Sequence, residues 1–173
     1  MSGKPELDSM GLRQPLARPA HASIHPPPAP RRILIVDDDA LVRSSLAAVL
    51  HSEGYEVYGA DDGKVAIDYA IDLQPDLILL DLNMPIMDGW AAFEKLELKC
   101  PLIPVIVITA RPNQYKQAVK LGVDAFMEKP LDFPLLLRAI HKLTFEPQHQ
   151  HNIRITNSGF VTWLLDGQAP NHF

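Results

Sequence analysis

Five polar residues follow apolar runs, and their types point to one chemistry. Asp37 and Asp38 follow Ile33-Leu34-Ile35-Val36, Asp81 follows Leu77-Ile78-Leu79-Leu80, Thr109 follows Val105-Ile106-Val107-Ile108, and Lys129 stands two residues beyond Met127. If these runs are parallel strands, their carboxyl ends share one edge of the sheet, where open α/β sheets bind ligands. Three carboxylates, a hydroxyl and an ammonium would then form one cluster. Carboxylates this close repel and need either a cation or a raised pKa. Magnesium suits them, because it takes hard oxygen ligands and uses only one or two carboxylates beside substrate phosphate oxygens. Thr109 and Lys129 would give a hydrogen bond and a positive charge to the phosphoryl oxygens. Asp81, at the centre, remains as the nucleophile that accepts a phosphoryl group as an aspartyl-phosphate. Each piece alone is weak, since Asp81 could simply cap a turn and Asp37-Asp38 could cap a helix. The joint pattern on four strand ends is far more specific.

The elements that must position these residues alternate regularly. Strands are expected at Ile33–Val36, Tyr55–Gly59, Leu77–Leu80, Val105–Ile108 and Val123–Met127. The continuous β-branched and leucine runs are those of strands buried on both faces of a parallel sheet. Helices are expected over Leu41–His51 behind an Asp39 N-cap, from Asp61 or Asp62 to before Pro75, and over Trp90–Lys99 behind Asp88. Two more are expected over Asn113–Leu121, stopped by Gly122, and from about Asp132 onward. Asp at the start and Gly after the end are ordinary helix boundaries. Trp90, Phe93, Leu96 and Leu98 make the third helix amphipathic, and Leu135, Leu136, Leu137, Ile140 and Leu143 dominate the last. Five strands alternating with five helices predict repeated βαβ units, a parallel sheet covered on both faces and right-handed crossovers.

Composition bounds the rest. The 173 residues allow one domain with tails, and a 47% apolar content is that of a globular chain. No apolar run is long enough to span a bilayer, and the amino terminus lacks the apolar core of a secretory signal. A cytoplasmic location is therefore expected. The single cysteine, Cys100, rules out an internal disulfide and reads as a structural thiol at a helix end. Residues 33–144 carry 10 Lys/Arg against 17 Asp/Glu, a net of −7, whereas residues 1–32 carry 5 against 2. An acidic body is a poor nucleic-acid surface and suits a cation or a basic protein partner. Residues 1–30 hold seven of the 16 prolines and read as an extended arm. Beyond residue 144, Gln148-His149-Gln150-His151 reads as solvated rather than metal-binding. Phe160-Val161-Thr162-Trp163-Leu164-Leu165 is an apolar patch expected to fold back onto the domain or to pair with another chain. The expected organisation is an arm over 1–31, a domain over 32–144, and a tail over 145–173 with no output domain.

Over residues 32–144 the chain resembles the receiver domains of two-component response regulators, like those of chemotaxis-type and sporulation-type single-domain regulators. The resemblance rests on Ile-Leu-Ile-Val-Asp-Asp-Asp at 33–39, Asp-Leu-Asn-Met-Pro-Ile-Met-Asp-Gly at 81–89, Thr-Ala at 109–110 and Lys-Pro at 129–130. The separations of 43 between Asp38 and Asp81, 28 between Asp81 and Thr109, and 20 between Thr109 and Lys129 also suit it. It implies a doubly wound, flavodoxin-like fold with five parallel strands in the order 2-1-3-4-5. It implies that Asp81 is the phosphoacceptor for a sensor histidine kinase or phosphotransfer protein. Asp38 would hold magnesium directly, Asp37 through water, and Asp81 and the backbone carbonyl of Asn83 would complete the set. Lys129 would pair with the phosphoryl group, and the Lys129–Pro130 peptide would be cis, an uncommon state even before proline. On phosphorylation Thr109 would move inward and Phe126 would follow, biasing the face of the fourth helix, fifth strand and fifth helix between two states. Phe126 lacks a tyrosine hydroxyl, so that switch would act through packing. Asn83 and Arg111, two residues beyond Asp81 and Thr109, occupy positions that tune the loss of the acyl phosphate.

The expected function is thus a signalling module that changes its contact with a downstream protein, not an enzyme beyond slow self-phosphorylation and autodephosphorylation. Direct nucleic-acid or membrane binding is not expected, and a homodimer through the same face is one option left open. Two alternatives stand beside this. One is a phosphatase or phosphotransferase with an aspartyl-phosphate intermediate, which would want an acid/base carboxylate where Asn83 stands. The other is a degenerate receiver serving as a scaffold. A flavodoxin-like cofactor binder fits poorly, because the acidic triplet Asp37-Asp38-Asp39 replaces a phosphate-binding loop.

Overall fold

The structure, a computed structural model, describes residues 29–85, 87–147 and 161–166. The proline-rich stretch before residue 29, His149, His151 and Phe160 lie outside the described residues. The chain alternates β1 (Arg32–Val36), α1 (Ala40–Ser52), β2 (Glu56–Ala60), α2 (Gly63–Leu73), β3 (Leu77–Asp81), α3 (Gly89–Lys99), β4 (Val105–Thr109), α4 (Tyr115–Leu121), β5 (Ala125–Glu128) and α5 (Phe133–Phe145). A short β6 (Trp163–Leu164) follows. All strand pairs are parallel, in the order β2-β1-β3-β4-β5-β6.

Strand periodicity divides the core into two layers. Leu34, Val36, Ile78, Leu80, Val105, Val107 and Phe126 face α2, α3 and α4. Their neighbours Ile33, Ile35, Leu77, Leu79, Ile106, Ile108 and Met127 face α1 and α5. Every residue of β3 and β4 is buried, which is why those runs are continuously apolar; β2, at the edge, keeps Glu56 and Gly59 exposed. The aspartates Asp39, Asp62, Asp88 and Asp132 cap α1, α2, α3 and α5 by accepting backbone N–H groups of the first turn. Each such cap contributes about 1 kcal/mol.

Departures from the sequence expectations have local causes. The fourth helix starts at Tyr115 rather than Asn113, because Asn113 takes a left-handed conformation at φ 61° that cannot continue a helix. It is also the one of the five helices whose N-cap residue, Gln114, makes no side-chain capping bond. β5 starts at Ala125 rather than Val123, whose amide instead closes the end of α4 on the Ala118 carbonyl at 3.1 Å. Leu98 is 84% exposed. It stands two residues from Leu96 and so points away from the face that Phe93 and Leu96 bury. The sheet has six strands where the alternation predicts five, because residues beyond α5 return to pair with β5. No described helix is long and apolar enough to cross a membrane.

Candidate functional site

Register decides which side chains meet. Val36 pairs with Leu80, so Asp37 and Asp81 emerge side by side from β1 and β3. Asp81 lies opposite Ile108, which puts Thr109 one step further out, and Thr109 in turn lies opposite Glu128. Lys129 therefore leaves the sheet furthest out and reaches back over the edge on its four-carbon stem. Its Nζ lies 2.9 Å from Asp81 Oδ2 and 3.0 Å from Asp37 Oδ2.

Asp37 is 1% and Asp81 3% exposed, whereas Asp38 opens to solvent. Carboxylate oxygens of all three lie within 4.8 Å of one another. The remaining oxygens of the two buried groups are held by the backbone. Asp37 Oδ1 accepts the Asp39 amide at 2.9 Å, and Asp81 Oδ1 accepts the Asn83 amide at 3.1 Å. The Arg43 guanidinium donates to the Asp37 main-chain carbonyl at 2.6 Å and braces the turn from outside. Burial pushes the Asp37 carboxyl above its ordinary range, the Asp39 amide and Lys129 opposing this and the charge of Asp81 adding to it. Burial alone would lower the Lys129 ammonium, but its hydrogen bonds to Asp81 and Asp37 outweigh that and leave it raised.

Two like charges about 5 Å apart repel by roughly 3 kcal/mol at an effective dielectric of about 20. One ammonium against three carboxylates leaves an excess of negative charge facing an open rim. The donor set is hard oxygen, partly buried and partly wet, and it fits a small divalent cation that retains water. Asp37, Asp38 and Asp81 carry the side-chain oxygens for it, and Asn83 lies at the exposed rim beside them.

Thr109 is fully buried, and its hydroxyl accepts the Arg111 amide at 3.0 Å. Its carbonyl accepts the Lys129 amide at 2.8 Å, which ties the β4 and β5 ends together. The Lys129–Pro130 peptide is cis. Phe126 does not line the site: it is wholly buried in the α2–α4 layer, its ring 5.9 Å from that of Tyr115. Tyr115, half-buried on α4, is the aromatic residue that this face offers to the exterior, and nothing in its sequence context marks it. Arg111 pairs with Asp88, the N-cap of α3, at 2.5 Å, and Trp90 Nε1 donates to Gln114 Oε1 at 2.9 Å. These two links tie the segment before α4 to the start of α3 across the mouth of the site. A groove of about 330 Å³ adjoins Lys129, lined by Leu41, Val42, Pro130 and Phe133. Leu41 and Phe133 are both exposed there, and an isolated exposed apolar residue leaves no periodic signal in a sequence.

Comparison with known proteins agrees with this geometry. A family model described as the response regulator receiver domain matches residues 33–141. The transcriptional regulatory protein PdtaR of Mycobacterium tuberculosis is 39% identical over 114 residues, 64% of this chain and 55% of that protein. The response regulator MprA of Mycolicibacterium vanbaalenii is 37% identical over 116 residues, 66% of this chain and 50% of that protein. The chain thus spans about half the length of these curated relatives. Among solved structures, a CheY-like response regulator receiver domain protein from Methanospirillum hungatei superposes with a TM-score of 0.65 at 30% identity, covering 70% of this chain and 98% of that one. The response regulator protein TrrA from Thermotoga maritima, solved in complex with Mg(2+)-BeF, gives a TM-score of 0.61 at 29% identity, covering 65% and 98%.

Proposed function

This chain belongs to the response regulator receiver family, and from that premise we propose that Asp81 is its phosphoacceptor. Its function is that of a two-component receiver, a signalling rather than an enzymatic role. The observation that carries the assignment is the position of Asp81: at the end of the fully buried β3, sharing the ammonium of Lys129 with the carboxylate of Asp37.

In the proposed transfer, a carboxylate oxygen of Asp81 attacks the phosphorus of a phosphohistidine on a kinase or phosphotransfer protein. The new O–P bond forms as the P–N bond breaks, and the imidazole leaves with that electron pair. Lys129, already at hydrogen-bond distance from Asp81, turns to the phosphoryl oxygens and keeps the transferred charge paired. The Thr109 hydroxyl accepts from the Arg111 amide, so its own proton is available to a phosphoryl oxygen. Asp37, Asp38, Asp81 and the Asn83 carbonyl would hold a magnesium ion, which supplies charge neutralisation of the phosphoryl group. The exposed Leu41 and Phe133 beside Lys129 offer the phosphodonor protein an apolar footing next to the reacting carboxylate. The working unit is residues 32–144, acting in the cytoplasm and passing its signal to a protein target. Slow self-phosphorylation and autodephosphorylation belong to the same site. Asn83, an amide two residues beyond Asp81, speaks against a phosphatase, which would need a titrating carboxyl there.

The test is magnesium-dependent binding of beryllofluoride, followed by tryptophan fluorescence. Trp90, hydrogen-bonded across the mouth of the site, is the reporter. The parent chain is expected to bind, and Asp81→Asn is expected to lose binding altogether. A folded parent that binds no beryllofluoride with magnesium present would overturn the assignment and leave a scaffold.

A further inference from the structure

The edge of β5 between α4 and α5 is built to take an extended strand, and in this chain it holds residues 161–166. The amides of Trp163 and Leu165 donate to the Asp124 and Phe126 carbonyls at 3.0 and 2.8 Å. Side chains alternate as a strand requires. Thr162 is buried against α4, its hydroxyl 3.5 Å from the Ala118 carbonyl, and Leu164 packs into the α2–α4 layer. Trp163 and Leu165 face the other layer, with Leu165 buried there and the Lys142 ammonium 4.5 Å from the centre of the Trp163 ring. The Tyr115 hydroxyl donates to the Thr162 carbonyl at 3.1 Å, so α4 reads the strand's backbone as well.

We propose that this edge is a strand-acceptor groove, and that segment 161–166 is its intramolecular ligand. The segment competes there with a partner protein's extended peptide of the same chemistry. Three features of the structure support this. The ladder between β5 and β6 is only two residues long, so little backbone pairing is lost when the strand leaves. Recognition lies in distinct places: a hydroxyl slot at α4, an apolar slot under α5 and a cation over an aromatic ring, which are the elements of sequence-selective strand addition. An emptied β5 would present unpaired backbone groups and apolar slots, the kind of edge that recruits another strand. Segment 161–166 is joined to α5, which ends at Phe145, through the fifteen residues 146–160. A short tether of this kind sets an effective concentration on the order of mM, so a partner displaces the segment where its concentration relative to its own Kd exceeds that of the tethered segment.

The test uses the full chain. With Trp90→Phe as background, Trp163 is the remaining tryptophan. Its quenching by acrylamide is expected to be low in that parent and several-fold higher once Leu165→Asp puts a carboxylate in the buried slot. A dye-labelled peptide of residues 160–166 is then expected to bind the Leu165→Asp chain at least ten-fold more tightly than the parent, shifting the amide resonances of Ala125, Phe126 and Tyr115. Tyr115→Phe, which deletes one hydroxyl and leaves the core packing, should give intermediate quenching and serves if Leu165→Asp proves unfolded. High Trp163 quenching in the parent, equal to that of the variants, would mean that the tail does not occupy the edge, and overturns the proposal. A protected Trp163 with no peptide binding to either chain would make β6 a fixed part of the fold, and a concentration-dependent dimer of the parent would mean exchange between copies. Either overturns it too.

Discussion

Lys129 touches two buried carboxylates at once and is therefore both partner and competitor at the acidic cluster. A divalent cation bound by the same oxygens meets the repulsion of that ammonium. Lys129→Met should accordingly bind magnesium several-fold more tightly than the parent while losing at least ten-fold in beryllofluoride affinity. Both are read from the Trp90 fluorescence in titrations at fixed ionic strength. Asp38→Asn works in the opposite direction. It removes the solvent-facing carboxylate, keeps the buried pair on Lys129, and should weaken magnesium at least ten-fold with little change in fold stability. Arg111 stands two residues past Thr109, and its guanidinium lies on Asp88, the N-cap of α3.

At the level of elements, α3 is pinned to the site by the absence of a side chain. A Cβ on Gly89 would collide with the Leu82 Cα and would stand 2.7 Å from the Asp81 carbonyl oxygen. Both are backbone atoms and cannot swing away. Gly89→Ala should therefore push the start of α3 off the loop after β3, costing about 1–3 kcal/mol. It should lower the melting temperature and the beryllofluoride affinity together. Further along α3, burial and then the negative charge of Asp124 raise the Glu97 carboxyl to about 7. The folded chain then binds this proton more tightly than the unfolded chain does. The stabilisation from this one group is full below the ordinary carboxylate range and is lost as pH rises toward 7, by about 1–2 kcal/mol once solvent screening of the half-buried carboxyl is set against about 1.4 kcal/mol per pKa unit. Urea unfolding at pH 5 and pH 8 should show this decline in the parent, and Glu97→Gln should flatten it and be the more stable chain at pH 8.

Across the whole molecule, the parallel sheet concentrates its chemistry at one edge and leaves the other sides to packing. Residues 33–144 carry a net charge of −7, so cations are drawn toward the body before they reach the acidic cluster. Any cation that binds only the folded chain stabilises it by mass action. At a free concentration of about 100 times Kd the gain is about 2.7 kcal/mol. Calorimetry with and without magnesium should show a rise in melting temperature on the order of 10 °C. That rise should vanish when Asp37→Asn and Asp38→Asn are combined. The same scale contains β6, which brings residues from beyond α5 to the open side of the sheet, next to α4, the helix without a side-chain N-cap.

What the sequence determined by itself is what local chemistry determines. Apolar runs such as Leu77–Leu80 have to be buried on both faces, aspartates such as Asp39 and Asp88 before amphipathic segments cap helices, and the polar residues after each run leave the sheet at its carboxyl edge. The alternation of such segments carries the parallel fold, since right-handed crossovers leave few other arrangements. Only the tertiary structure decided which of those polar groups meet and how. Interstrand register, set by packing among residues far apart in the chain, brings Lys129 Nζ onto Asp37 and Asp81 together. It also buries Phe126 behind Tyr115, a residue with no signal of its own. The return of the apolar patch around Trp163 to the domain was legible in the sequence, but its pairing as a sixth strand was not, for the same reason. Two paired residues are too short for a periodicity, and what holds Trp163 and Leu164 beside β5 is an edge made by a strand some forty positions earlier.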